Sequence, residues 1–318
     1  MKEQEFSVLL YSLGVLLQVD WRLNLPENVS TKIDHRISRV SRFFTSRSLS
    51  QALLGAASMN IGPSMSDEAR SAWAMALSNR TQGLNCMNAI EYAQAIYSIG
   101  KLGYSYSSMT LPLQNAIERN LNIVNSHDNN SLIVYYVISG LLDLGFPLHL
   151  IPSNLVNSVR QLLLSPMISS FVDQHIFIDS SLEVDEVLNY QHDTDLGDGL
   201  LAAEVEGSDV SISNSIEANN FRVFLSLISK LKLHLVDIER NTVIDKLSNY
   251  LIEDKMDFPT LVDCLDSISF MDNFQWSKLP NSFRNQIANF LKSYVSINDQ
   301  VITNKLAAAL NRLGANKK

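Results

Sequence analysis

Residues 97–112 read YSIGKLGYSYSSMTLP, and residues 11–26 read YSLGVLLQVDWRLNLP. Both run Tyr-Ser, an aliphatic residue, Gly, a leucine two places on, and a closing Leu-Pro. The offset is 86 positions, and further copies lie between and beyond. Anchored on the aliphatic residue that ends the first helix of each copy, they fall at Leu16, Met59, Leu102, Leu144, Leu231, Ile268 and Leu313. The spacings are 43, 43, 42, 87, 37 and 45, so 86 is two periods and 87 hides one degenerate or expanded copy. Periods of this size signal stacked helical repeats.

Each unit reads as two helices. The first is rich in small and aliphatic residues, as in SQALLGAASMNIG and IEYAQAIYSIGKLG. Ala93, Ile96, Tyr97 and Gly100 fall at helical spacing, and the small members let a neighbouring helix approach. Asn60, Gly103, Gly145 and Gly314 follow their anchors directly, where a left-handed residue stops a helix. A loop then leads to Pro26, Pro63, Pro112, Pro152 or Pro280, proline being suited to a first helical turn. The second helices are NVSTKIDHRISRVSRFF, LQNAIERNLNIV, NLVNSVRQLLL, RNTVIDKLSNYLI and FRNQIANFLKSY. In the fourth, Val243, Leu247 and Leu251 form an i, i+4, i+8 stripe with a polar opposite face.

A helix pair of this kind cannot bury its apolar face alone, so neighbours must stack. No Asn-Gly or Asp-Gly turn joins two alternating runs, and the best strand candidate is QHIFID at 174–179. The expected fold is all-α, an α-solenoid of helix-turn-helix repeats of about 37–45 residues, of HEAT, armadillo or octotricopeptide type. The expected organisation is N-terminal repeats over 1–165, an acidic insertion or degenerate repeat, partly disordered, over 166–220, and C-terminal repeats over 221–318. The chain opens inside a first helix and closes on another, LAAALNRLGANKK, so its ends are expected to dock on other protein subunits or to continue in a longer chain.

Composition narrows the classes. At 318 residues, 46% hydrophobic and 18% charged, the chain has enough apolar surface to fold. Cys86 and Cys264 stand in unrelated contexts, against a disulfide framework or a structural zinc site. The stretch SLIVYYVISGLLDLGF at 131–146 is interrupted by Asp143, so no membrane insertion is expected. The net charge of −8 is unevenly spread. Residues 161–221 hold twelve acids and no Lys or Arg, which leaves 25 basic residues against the other 21 of the 33 acids, a mildly basic body.

QALLGAASMNIG, QAIYSIGKLGYS and AALNRLGA resemble the octotricopeptide and heptatricopeptide repeats and the helical arrays of the FASTK and RAP-domain families. The likeness covers most of the chain outside 166–220, with no RAP domain and no transit peptide. It implies an organellar, mitochondrial or plastid, RNA-binding protein acting in RNA processing, stability or translation. Without that resemblance the default location is cytoplasmic.

The residues themselves offer no catalytic constellation. GxSxG, GxxxxGK[ST], HExxH and GxGxxG are absent, the six histidines are scattered, and no cofactor, metal or enzymatic activity is expected. DTDLGDGLLAAE at 193–204 places Asp193, Asp195 and Glu204 at positions 1, 3 and 12 of an EF-hand loop. Position 6 is Asp198 instead of glycine, which favours a solvated acidic loop. The segment TKIDHRISRVSRFFTSRS at 31–48 carries the functional signal. Ile33, Ile37, Val40 and Phe44 form an inward stripe, and Lys32, Arg36 and Arg39 form a basic ridge beside it. Arg42 and Arg47 extend that charge. A concave surface lined by second helices would set the ridge against a phosphate backbone; a merely solvated helix face is the other reading. Thinner ridges recur at Arg119, Arg160, Arg240 with Lys246, and Arg284 with Lys292. Tyr104, Tyr106, Trp21 and Trp276, in or near the interhelical loops, are candidates to stack bases or to pack the stack's ends.

Two functions therefore stand side by side: an RNA-associated repeat protein in a ribonucleoprotein assembly, taking single-stranded RNA, and a protein–protein scaffold. For the second, the partners are other subunits bound at the chain ends and at the acidic 166–220 segment, which also reads as a nucleic-acid mimic or an inert loop.

Overall fold

A computed structural model of the chain describes residues 2–19, 25–81, 86–124, 130–164, 209–293 and 300–315. Among the described residues it holds thirteen α-helices and no strand. The chain is an all-α array of helix-pair repeats. The helices are α1 (Glu3–Val19), α2 (Glu27–Val40), α3 (Ser46–Ser58), α4 (Asp67–Arg80), α5 (Ala89–Lys101), α6 (Leu111–Val124), α7 (Ser131–Asp143) and α8 (Ser153–Leu164), followed by α9 (Asp209–Lys230), α10 (Asp237–Ile252), α11 (Phe258–Ser269), α12 (Asn281–Ser293) and α13 (Gln300–Leu313). They fall into two compact units, 1–159 and 160–318, divided within α8.

Within the first unit the odd-numbered helices stack in sequence, α1 on α3, α3 on α5 and α5 on α7, while α2 packs on α4 and α4 on α6. The second unit repeats the scheme, with α9, α11 and α13 in one layer and α10 and α12 in the other. Within each unit these helices thus meet the equivalent helix one repeat away, the way such pairs bury a continuous core. The core between layers holds Leu53, Trp73, Ile96, Ile117, Val137 and Leu155 in the first unit, and Phe224, Leu247, Leu265 and Ile287 in the second.

Local chemistry sets the helix limits. Four of the odd helices start on polar caps: Thr45 accepts from the Ser48 N–H at 3.1 Å, Asn88 and Glu91 form a reciprocal capping box, and Asn130 and Asp257 cap α7 and α11. Five of the odd helices share one closure at their ends. Asn60, Gly103, Gly145, Lys232 and Gly314 adopt φ of +53°, +78°, +68°, +54° and +80°. At each, two N–H groups fold back on the last turn; Gly103 donates to the Gly100 carbonyl and Tyr104 to that of Ile99 at 3.0 and 3.1 Å. The four expected caps are all present. Lys232 is an addition, and α11 ends at Ser269 without a left-handed residue.

Two boundaries differ from the sequence reading. Leu16 does not end its helix; α1 continues to Val19, and Leu16 is exposed. Leu17 and Gln18 after it are good helix formers, and no Gly or Asn follows it directly to break the run. Pro63 lies in a 3-10 turn, Gly62–Ser64, and α4 starts only at Asp67, where the Ser66 hydroxyl caps the Ala69 N–H at 3.2 Å. Pro26, Pro152 and Pro280 immediately precede their helices, and Pro112 is the second residue of its own. The strand candidate at 174–179, the acidic clusters, the EF-hand-like loop and Trp21 lie outside the described residues. Helix α9 begins at Asp209 and includes the last acids of the acidic stretch, Asp209 and Glu217.

Charged groups bridge adjacent odd helices. Lys101 pairs with Asp143 at 2.9 Å, joining α5 to α7. On α11, Asp263 takes Arg222 of α9 at 2.8 Å and Lys305 of α13 at 2.7 Å, while Asp266 takes Arg312. Half-exposed pairs of this kind contribute about 0–1 kcal/mol each, so they fix register more than stability.

Burial also separates the two thiols. Cys86 is exposed, whereas Cys264 is buried on α11 and its thiol is pushed well above the usual range by that burial. A thiol reagent is expected to modify one cysteine rapidly in the native chain and the second only on addition of denaturant. Two fast equivalents without denaturant would show that α11 is not packed as described.

Candidate nucleic-acid interface

The basic ridge is built on α2 and the turn that follows it. Ile33, Ile37, Val40 and Phe44 are buried, as the inward stripe requires. Lys32 and Arg39 are exposed and Arg36 is half-buried on the same helix face. Asp34 points elsewhere, accepting the Ser66 N–H at 2.9 Å, and Ser30 meets Ser64 hydroxyl to hydroxyl at 3.0 Å. Those contacts mark the side of α2 turned to the start of α4. With 3.6 residues per turn, Lys32 and Arg36 lie about 160° around the helix from Asp34. The ridge therefore occupies the side of α2 facing away from α4. Arg42 follows in the 3-10 turn Ser41–Phe43, its guanidinium 4.6 Å from the centre of the Phe43 ring, and Arg47 is exposed in the first turn of α3.

What distinguishes four of these cations is the lack of carboxylate partners. Among the described residues Lys32, Arg39, Arg42 and Arg47 make no ion pair. The thinner ridges are mostly committed. Arg160 bonds the His234 carbonyl at 2.9 Å and pairs with Glu239 at 3.5 Å; Arg240 pairs with Asp237 at 3.3 Å. Lys246 donates to the Leu163 carbonyl at 3.0 Å, Arg284 to Asn281, and Arg119 to a carbonyl of its own helix at 3.2 Å. On α4, Arg70 is spent on structure: it donates to the Leu102 carbonyl at 3.1 Å and to that of Gly62, under the Tyr104 ring. Arg80 and Lys292, whose side chains make no hydrogen bond or ion pair among the described residues, stand singly on the other second helices. Positive charge is thus concentrated at α2 and does not run as a line across α2, α4 and α6, where Asp67, Glu68 and Glu118 intervene.

The aromatic candidates divide the same way. Tyr104 donates its hydroxyl to the Arg70 carbonyl at 2.9 Å, and burial raises its pKa. Tyr106 sets its ring edge-on to Phe146 at 4.8 Å and donates to Glu118; burial first, then that bond, pushes its pKa up to about 12. Both are packing residues between adjacent repeats. Trp276 is half-buried in its own 3-10 turn. Phe43, 54% exposed beside Arg42, is an aromatic that the sequence did not single out. Its signal was its place: it precedes Phe44 by one residue and so falls off the buried stripe.

Among the described residues no three His, Cys, Asp or Glu gather as a metal-holding group, and no helix is long and apolar enough to cross a membrane. Compared with protein-family models and with curated proteins, the chain matches neither a family nor a relative.

Proposed function

We propose that the chain is a non-enzymatic helical-repeat binding protein that associates with single-stranded RNA through the α2 ridge, within an organellar, mitochondrial ribonucleoprotein. The observation that carries this reading is the grouping of Lys32, Arg39, Arg42 and Arg47 without carboxylate partners, while Arg160, Arg222, Arg240, Lys305 and Arg312 are each paired. Cations without carboxylate partners lower the free energy of any polyanion that reaches them, and a phosphate backbone offers repeated negative charge. The repeat resemblance supplies the RNA and the organelle.

The test is binding of the purified chain to a mixed pool of single-stranded RNA across a salt series, beside a variant with Lys32, Arg36, Arg39 and Arg42 changed to Ser. The wild type should bind with a steep salt dependence. The variant should flatten the log–log slope by up to about 3, at about 0.7 per phosphate contact for a single strand. Absence of binding at low salt by a chain that circular dichroism shows to be helical would end the direct-RNA reading.

A second reading, a protein–protein scaffold, is favoured by one specific feature. Val8, Leu9, Val15 and Leu16 of α1 are 57%, 40%, 37% and 57% exposed on the face opposite Leu10 and Gly14, which meet α3. An apolar stripe of this kind suits a further helix.

A further inference from the structure

In the second unit, the turn that closes α9 and the turn that closes α11 lie side by side and bound a cleft of 510 Å³. That volume lies within the range of small-ligand sites, about 300–1,000 Å³. Lys230, Lys232 and His234 line it from the first turn, and Phe270, Met271 and Asp272 from the second. From these groups we propose that the cleft binds a nucleotide, a site that stands independently of the α2 ridge.

Charge is the first argument. Lys230, Lys232 and His234 are exposed. Among the described residues they make no ion pair, as is also true of Lys278, Arg284 and Lys292 elsewhere in the unit, but here such groups line one cleft. Asp272 is the one carboxylate lining the cleft, so its balance is positive and suits a phosphate. Backbone geometry is the second. Lys232 holds φ +54° at the position that Asn60, Gly103, Gly145 and Gly314 occupy at the other closures. A lysine is strained there where glycine is not, and strain retained at a cleft marks a side chain with a task. The apolar floor is the third. Phe270 is 61% exposed although the Arg312 guanidinium stands 4.2 Å from its ring centre, so a base stacked on it extends an existing cation–aromatic pair. Asp272 then stands as acceptor for ribose hydroxyls, and Asn273 holds the rim, its amide donating to the Leu235 carbonyl at 2.5 Å.

The probe is adenosine monophosphate, titrated into the full chain and followed at the labelled methyl of Met271, with ribose 5-phosphate as the base-free control. A saturable shift with adenosine monophosphate, and a response at least about fivefold weaker with ribose 5-phosphate, is the expected result. Lys232→Gly, which suits the left-handed backbone and keeps the fold, should weaken binding at least about tenfold. Phe270→Ala should weaken adenosine monophosphate but leave ribose 5-phosphate unchanged. No shift up to about 10 mM, or an unaltered titration in Lys232→Gly, overturns the proposal whatever the α2 ridge does. Nucleotide binding by a chain that takes no RNA upholds the cleft and removes only the RNA reading.

Discussion

Gly140→Ala is expected to lower the stability of the first unit by about 2–4 kcal/mol, read as a fall in the urea midpoint of the far-ultraviolet circular dichroism signal. Helix propensity alone gives the opposite sign, because alanine in a helix interior is favoured over glycine by roughly 0.5–1 kcal/mol. The reversal comes from the packing of α7 on α5. A Cβ placed at Gly140 lies 2.5 Å from the Ile96 carbonyl oxygen and 2.6 Å from the Tyr97 nitrogen, both backbone atoms that no rotamer change can move. Gly100 approaches Gly140 in return, its own Cβ position 2.8 Å from the Gly140 oxygen. The α1–α3 contact uses the same device, with Gly14 against Gly55 and Gly55 against the Leu10 carbonyl. Gly103→Ala is the control. Nothing lies within 4 Å of its Cβ position, so its penalty is the left-handed φ of +78° alone, about 1–2 kcal/mol. A Gly140→Ala chain as stable as the wild type, or more so, would mean that α5 and α7 do not approach this closely.

The second large effect is at Trp73. It is fully buried on α4, and Ala69, Ala76 and Leu77 of the same helix are buried with it. Trp73→Ala removes the largest fully buried side chain among the described residues and leaves a cavity, at an expected loss of about 3–5 kcal/mol. Trp73→Phe separates volume from polarity. The indole Nε1 is buried without a hydrogen-bond partner, so the phenyl ring gives up some contact but also removes an unsatisfied donor, whose burial is worth about 1–3 kcal/mol against folding. The Phe variant should therefore retain most of the stability that the Ala variant loses. Equal losses from both would place a hidden partner on the indole nitrogen.

The repeat period, the helix pairs and four of the five left-handed closures of the odd-numbered helices were legible in the sequence because each depends on residues within a few positions of one another. Gly103 and Gly145 stop their helices through bonds spanning at most five residues. The same locality explains Leu16, where the anchor was present but the stop residue after it was not. Ile33, Ile37 and Val40 were likewise readable as an inward stripe, since helical geometry alone puts them on one face. The period even states which residues are able to meet. Asp263 takes Arg222, 41 residues before it, and Lys305, 42 after it, each one repeat away. Which of them do meet depends on the rotation of every helix about its axis, and packing of the neighbours sets that. Only the tertiary structure turned Lys32 and Arg36 away from α4, spent Arg70 and Arg160 on distant carbonyls, and left Lys32, Arg39, Lys230 and Lys232 without an ion pair among the described residues. Sequence fixes the side chains a repeat carries and the face of its own helix they share; the stacking of repeats decides which charges are neutralised and which remain for a ligand.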